Sequence, residues 1–139
     1  MRALPLLTMA ALAAAAAGAE EKKVDPKLLG AGRALFLQHC ASCHGADAKG
    51  HGPAAEALKT PPTDLTALAK DGSYNADRVR TFIDGTQAAT AHGSREMPVW
   101  GKVLAKSGPR QGEGAAATSV YALVEYLRSI QGSGATSAK

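Results

Sequence analysis

Cys40-Ala41-Ser42-Cys43-His44 is the stretch of this chain whose residue types and spacing could do chemistry. Residues i and i+3 share one face of a helix. The two thiols therefore project together, with an imidazole directly after the second. C-x-x-C-H is the signature for covalent attachment of a c-type haem. Each thiol can form a thioether with one of the two vinyl groups along one edge of a porphyrin, and the adjacent His can turn under the same ring and bind iron axially. Other chemistries for the same residues fit less well. A thioredoxin-like redox pair needs a strand–helix–strand context, and none is visible. A structural zinc site wants four Cys or His ligands, commonly in paired short motifs, and the remaining His39, His51 and His92 form no such pair. A disulfide between Cys40 and Cys43 would explain neither His44 nor the long loops described below.

Haem iron has a second axial position, and Met97 is the candidate for it. A soft thioether suits haem iron, and His/Met ligation raises the reduction potential. Met97-Pro98-Val99-Trp100-Gly101 falls late in a Gly-rich stretch rather than on an apolar helical face, where a core-filling Met would sit. The other two methionines, Met1 and Met9, belong to the leader discussed next. His92 is the competing ligand, with His51 behind it. His39 precedes Cys40 and is expected to point away from the ring.

The elements that position these residues begin after a targeting segment. Arg2, the apolar run 3–17 and the small residues Ala17-Gly18-Ala19 read as a secretory signal peptide over 1–19. The run is shorter than the ~20 apolar residues of a membrane span, and no Cys follows it for a lipid anchor. Export agrees with the motif, because covalent haem is attached outside the cytoplasm in bacteria. The mature chain reads as one domain over 20–131 with a disordered tail at 132–139.

Within that domain, Asp25-Pro26 supplies a capping side chain and a Pro at the first helical position. Residues 28, 29, 32, 35, 36, 39, 40 and 43 then recur at helical spacing, so both Cys share the apolar face. Gly32 sits inside that helix, where close approach of another helix or simple tolerance would account for it. Residues 45–72 are Gly/Pro-rich loop, with short turns expected near 54–58 and 64–69. Residues 76–84 form a short helix, capped by Asn75 or Ser73 and ended by Gly85, with Val79, Phe82 and Ile83 as its stripe. A second loop region spans 86–114, interrupted by a turn near 99–106. Residues 115–131 make the last helix, with Val120, Leu123, Val124, Leu127 and Ile130 on one face. No strand alternation and no repeat is seen.

Composition sets the limits. The 139 residues include 16 Lys+Arg and 12 Asp+Glu, a net charge of +4, which is too mild for a nucleic-acid footprint. Two Cys cannot build a disulfide scaffold. Aromatic residues are only 4% while Gly numbers 15. A core so thin, with two long loops, suits a protein whose interior is partly supplied by a bound apolar group.

The chain resembles the monohaem class I cytochrome c family. The resemblance lies in Gly32, Phe36, Cys40-Ala-Ser-Cys43-His44-Gly45, Gly52-Pro53, Met97-Pro98, Trp100-Gly101 and Tyr126-Leu127. It implies an all-α fold of three main helices and long loops around one haem c, attached through Cys40 and Cys43 and ligated by His44 and Met97. It implies that the first and last helices cross at Gly32, with Phe36 against Tyr126. It also implies that the Pro53 carbonyl accepts a hydrogen bond from His44 Nδ1. For the haem propionates it offers Trp100 and one of Arg78 or Arg80, any of which could equally be a core residue or a solvated charge.

With both axial positions filled, the expected activity is transfer of one electron, not substrate turnover. The alternatives are a haem-bearing subunit of a dehydrogenase or terminal oxidase complex, and a haem-based ligand sensor if the distal bond opens. The expected partners are exported or membrane-bound redox proteins that dock transiently on a periplasmic monomer, with no nucleic acid and no membrane insertion after cleavage. Lys49, Lys59, Lys70, Arg95, Lys102 and Lys106 could form a basic docking rim, or be dispersed solvated charges.

Overall fold

The structure, a computed structural model, describes residues 24–86, 97–106 and 113–132. The expected leader at 1–19, His92, Arg95 and residues 133–139 of the expected tail lie outside the described residues. The described residues form five helices in chain order: α1 (Pro26–His39), α2 (Ala41–His44), α3 (Ala76–Asp84), α4 (Trp100–Leu104) and α5 (Glu113–Ser129). Among the described residues there is no strand, only an isolated bridge between Lys70 and Ser73. The fold is all-α, with α1, α3 and α5 as its longer members.

The Asp25 side chain accepts from the Lys27 N–H and Pro26 opens α1. Gly32 and Phe36 are the buried positions of this helix. A Cβ at Gly32 would overlap the Ala122 carbonyl of α5, so only Gly allows the two backbones to meet there. Phe36 is fully buried and its ring centroid lies 5.5 Å from that of Tyr126. α5 supplies Val120, Leu123, Val124 and Leu127 to the core, as the stripe requires, while Ile130 is half-buried.

α3 has the boundaries its caps dictate. The Asn75 side chain accepts from the Arg78 N–H, and Gly85 ends the helix at φ 80°. Ile83 is buried and Val79 half-buried, but Phe82 is 39% exposed, contrary to the expected stripe. Its ring carries the Arg78 guanidinium 5.8 Å from the centroid, a cation–π contact that keeps an exposed aromatic partly covered. α3 and α4 pack on α5 and on each other.

The loop region has only two short 3-10 turns, Ala55–Ala57 and Leu65–Ala67, at the expected places. Gln131 fixes the second of them. Its Oε1 accepts from the Leu68 and Ala69 N–H groups at 2.8 and 3.0 Å. Its Nε2 donates to the Leu65 and Leu127 carbonyls at 2.7 and 2.6 Å. One side chain thus joins the 65–69 loop to the end of α5.

Candidate functional site

α1 ends at His39, and Cys40 is at once its C-cap and the N-cap of α2. The chain stays helical in pitch through this junction, since the His44 N–H donates to the Cys40 carbonyl at 2.9 Å. Gly45 at φ 77° then turns the chain back. The returning segment is tied to the α2 turn by Gly50 N–H to His44 O, Gly52 N–H to Cys43 O and Ala54 N–H to Ser42 O.

A cleft of about 220 Å³ lies against this turn. Three segments line it: His39, Cys40, Cys43 and His44; then Leu58 and Thr60–Thr63; then Met97, Pro98 and Trp100. The structure therefore gathers Cys40, Cys43, His44, Met97 and Trp100 around one space, although more than fifty residues separate the first from the last. His51 is exposed, with Nδ1 3.3 Å from the Lys49 carbonyl. Among the described residues Met97 is the ligand candidate of the distal set that lines the cleft.

His44 Nδ1 lies 3.0 Å from the Thr63 carbonyl oxygen. A carbonyl can only accept, so Nδ1 carries the proton and Nε2 keeps a bare lone pair, the form required of a metal ligand. Burial holds the His44 pKa below the ordinary imidazole value, and the Thr63 contact opposes this only partly. The ring is thus neutral at physiological pH. Such a hydrogen bond fixes the ring's orientation and raises its basicity as a ligand.

The expected role of Pro53 is corrected here. Pro53 is exposed and does not line the cleft, because Gly52 sits hard against the Ala41 and Ser42 carbonyls and carries residue 53 along the backbone of the turn. Thr63 takes its place. Pro61-Pro62 holds the preceding backbone extended, Gly50 packs against the Pro62 carbonyl, and Leu65 N–H to Ala48 O at 2.7 Å closes the strap. The two adjacent prolines were the available sequence signal for this segment.

His39 is also corrected. It lines the cleft, with its ring centroid 5.3 Å from that of Trp100. His39 is still within α1, so it follows the helical spacing it shares with Leu35, Phe36 and Cys40 onto the cleft side and does not turn away from the site as expected. Arg78 and Arg80 do not line the cleft: Arg78 covers Phe82, and Arg80 pairs with Asp84 at 3.0 Å and with Asp77 at 3.7 Å. Trp100 is at the cleft, held against His39.

Cys40 and Cys43 are free and half-buried. Burial, with Cys43 as a like-charged neighbour, pushes the Cys40 thiol up to about 11. No group of three or more His, Cys, Asp or Glu that could hold a metal ion occurs among the described residues. The donor set, two thiols, a neutral imidazole and a thioether set among Leu, Pro and Trp, fits a covalent haem. Its chemistry carries that fit more than the cleft's volume does, since ligand pockets for molecules of drug size run to about 300–1,000 Å³.

Comparison with known proteins agrees. A search of curated proteins and a search of solved structures each returned no match. The family model described as Cytochrome c matches residues 29–131, from the second turn of α1 through Gln131. That span holds every residue of the cleft and most of the chain, and this protein belongs to the cytochrome c family, in its monohaem class I form.

Proposed function

We propose that the protein is an exported one-electron carrier whose haem c is attached through Cys40 and Cys43 and ligated by His44 and Met97. The observation that carries this is the meeting of Met97 with Cys40, Cys43 and His44 around one cleft. When bound, the haem supplies a one-electron Fe(III)/Fe(II) couple. The chain's part is to hold and tune. Cys40 and Cys43 anchor one edge. His44 presents Nε2, oriented by its Nδ1–H to Thr63. Met97 would supply the thioether that, with His44, holds the iron and leaves it no position for a substrate. Leu58, Pro61, Pro62 and Pro98 give the cleft an apolar wall, which would favour the less charged reduced state.

Export to the periplasm is supported by the apolar run at 3–17 with its small-residue end. No helix among the described residues is long and apolar enough to cross a membrane. The partners we infer are redox proteins with an acidic docking face. Lys49, Lys59, Lys70, Lys102 and Lys106 are all exposed, and Lys59 lies between the cleft residues Leu58 and Thr60 in sequence, with Lys102 two residues after Trp100. Electron-transfer encounters of this kind are small and transient.

A redox titration followed optically tests the carrier role. One reversible one-electron wave, with no carbon monoxide binding to the reduced protein, is the expected result. Ready carbon monoxide binding would favour a ligand sensor and overturn closed ligation. Co-purification with larger subunits would favour a fixed place in a complex. Transfer rates to the partner should fall as salt rises; flat rates would remove the basic rim.

A further inference from the structure

His39 and Trp100 join the two segments that the haem would bring together. His39 is the last residue of α1 and precedes Cys40; Trp100 opens α4, three residues after Met97. Their centroids are 5.3 Å apart at an interplanar angle of 47°, a separation and tilt at which aromatic rings attract. Both line the cleft. The rest of α4 is held elsewhere: Leu104 is fully buried in the core, and Gly101 packs against the backbone of Asp84 in α3. Trp100 is thus the residue that carries the Met97 end of this segment over to the Cys40 end of α1.

A second observation concerns His39 itself. Its Nε2 is buried and has no hydrogen-bond partner among the described residues. Buried polar atoms are almost always partnered. No hydrogen bond at Nε2 therefore holds the ring in this place, and the contact that does is the one with Trp100.

We propose that His39 and Trp100 form a latch that seats Met97, acting as positioning residues that set how readily its thioether leaves the iron. This rests on the His44/Met97 ligation proposed above. Without the ring contact, Met97 would spend more time detached, and an added ligand would find the axial position open.

The test uses ferric holoprotein with imidazole as the probe. The variants are His39→Ala, Trp100→Ala, the double variant and His39→Phe, alongside wild type. Apparent affinity scales with the fraction of molecules whose site is open. His39→Ala and Trp100→Ala are expected to bind imidazole about tenfold more tightly than wild type, and to lose the weak long-wavelength band of thioether bound to ferric haem at a lower pH. The double variant should bind no more tightly than either single one, because one contact is lost in all three. His39→Phe should stay at the wild-type affinity, since it keeps the ring and removes the unpartnered nitrogen. If His39→Ala does not mature, Trp100→Ala with Trp100→Phe as its rescue reads the same contact.

Wild-type imidazole affinity in both alanine variants overturns the latch, as do effects that multiply in the double variant or a His39→Phe that behaves like His39→Ala. Absence of the thioether band from the wild type overturns Met97 ligation and the latch with it. Its presence, with the variants unchanged, overturns the latch alone.

Discussion

Gly32 of α1 lies against the backbone of Ala122 in α5, so that a Cβ at residue 32 would overlap the Ala122 carbonyl and stand 2.8 Å from the Tyr126 Cβ. This crossing fixes the direction in which α1 delivers Cys40, eight residues on, to the cleft. Gly30, two residues earlier on the open side, has nothing within 4 Å of its would-be Cβ.

The pair makes a controlled prediction. Gly30→Ala should stabilise the protein by about 0.5–1 kcal/mol, the ordinary gain of Ala over Gly in a helix. Gly32→Ala should destabilise it by about 1–3 kcal/mol through overpacking, despite the same gain in propensity. Denaturant unfolding of both variants checks this. Equal shifts at the two sites would contradict the close crossing.

Gln131 makes four hydrogen bonds that hold the 65–69 loop on the end of α5. Gln131→Ala leaves two N–H groups and one loop carbonyl to find water, and should cost about 2–4 kcal/mol. Amide exchange should quicken first at Leu68 and Ala69. Unchanged exchange there would show that the loop is held by something else.

Tyr74 gives the fold a limit at high pH. Its hydroxyl donates to the Val124 carbonyl at 3.0 Å, and burial holds its pKa well above the ordinary value, with the Arg128 guanidinium over the ring opposing this in part. The folded state thus keeps a proton that the unfolded chain gives up above about pH 10. The stabilisation is complete below that pH and is lost as pH rises past it toward the folded value. Tyr74→Phe should lower stability by about 1 kcal/mol at neutral pH and flatten the alkaline loss. Parallel pH curves for the two proteins would contradict the assignment.

Met97→Ala should leave haem attachment intact and open the distal side. The reduced variant should bind carbon monoxide readily, and the long-wavelength thioether band of the oxidised form should vanish. Retention of that band would move the distal ligand to another residue.

What could be read from the sequence was local. Asp25-Pro26 and Asn75 with Gly85 set the ends of α1 and α3 because a cap needs only neighbours within three residues. The apolar spacing of α5 placed its core face, and C-x-x-C-H declared its chemistry in five residues. The features that escaped depend on distant chain. The partner of His44 is nineteen residues away at Thr63, reached through a strap whose path Gly50 and the paired prolines determine. His39 was misplaced because its position next to Cys40 was weighed above the helical spacing that puts it on the same face as Phe36 and Cys40. Glu125 reads as a polar position of α5, yet it is 4% exposed and pairs with Arg128 at 3.4 Å.

Intact mass of the purified protein under denaturing conditions tests the covalent cofactor most directly. The predicted result is the mature polypeptide plus the mass of one haem, retained after acid–acetone treatment and lost when Cys40 and Cys43 are both replaced by Ala. A bare polypeptide mass, with the two sulfurs free or joined to each other, would contradict it.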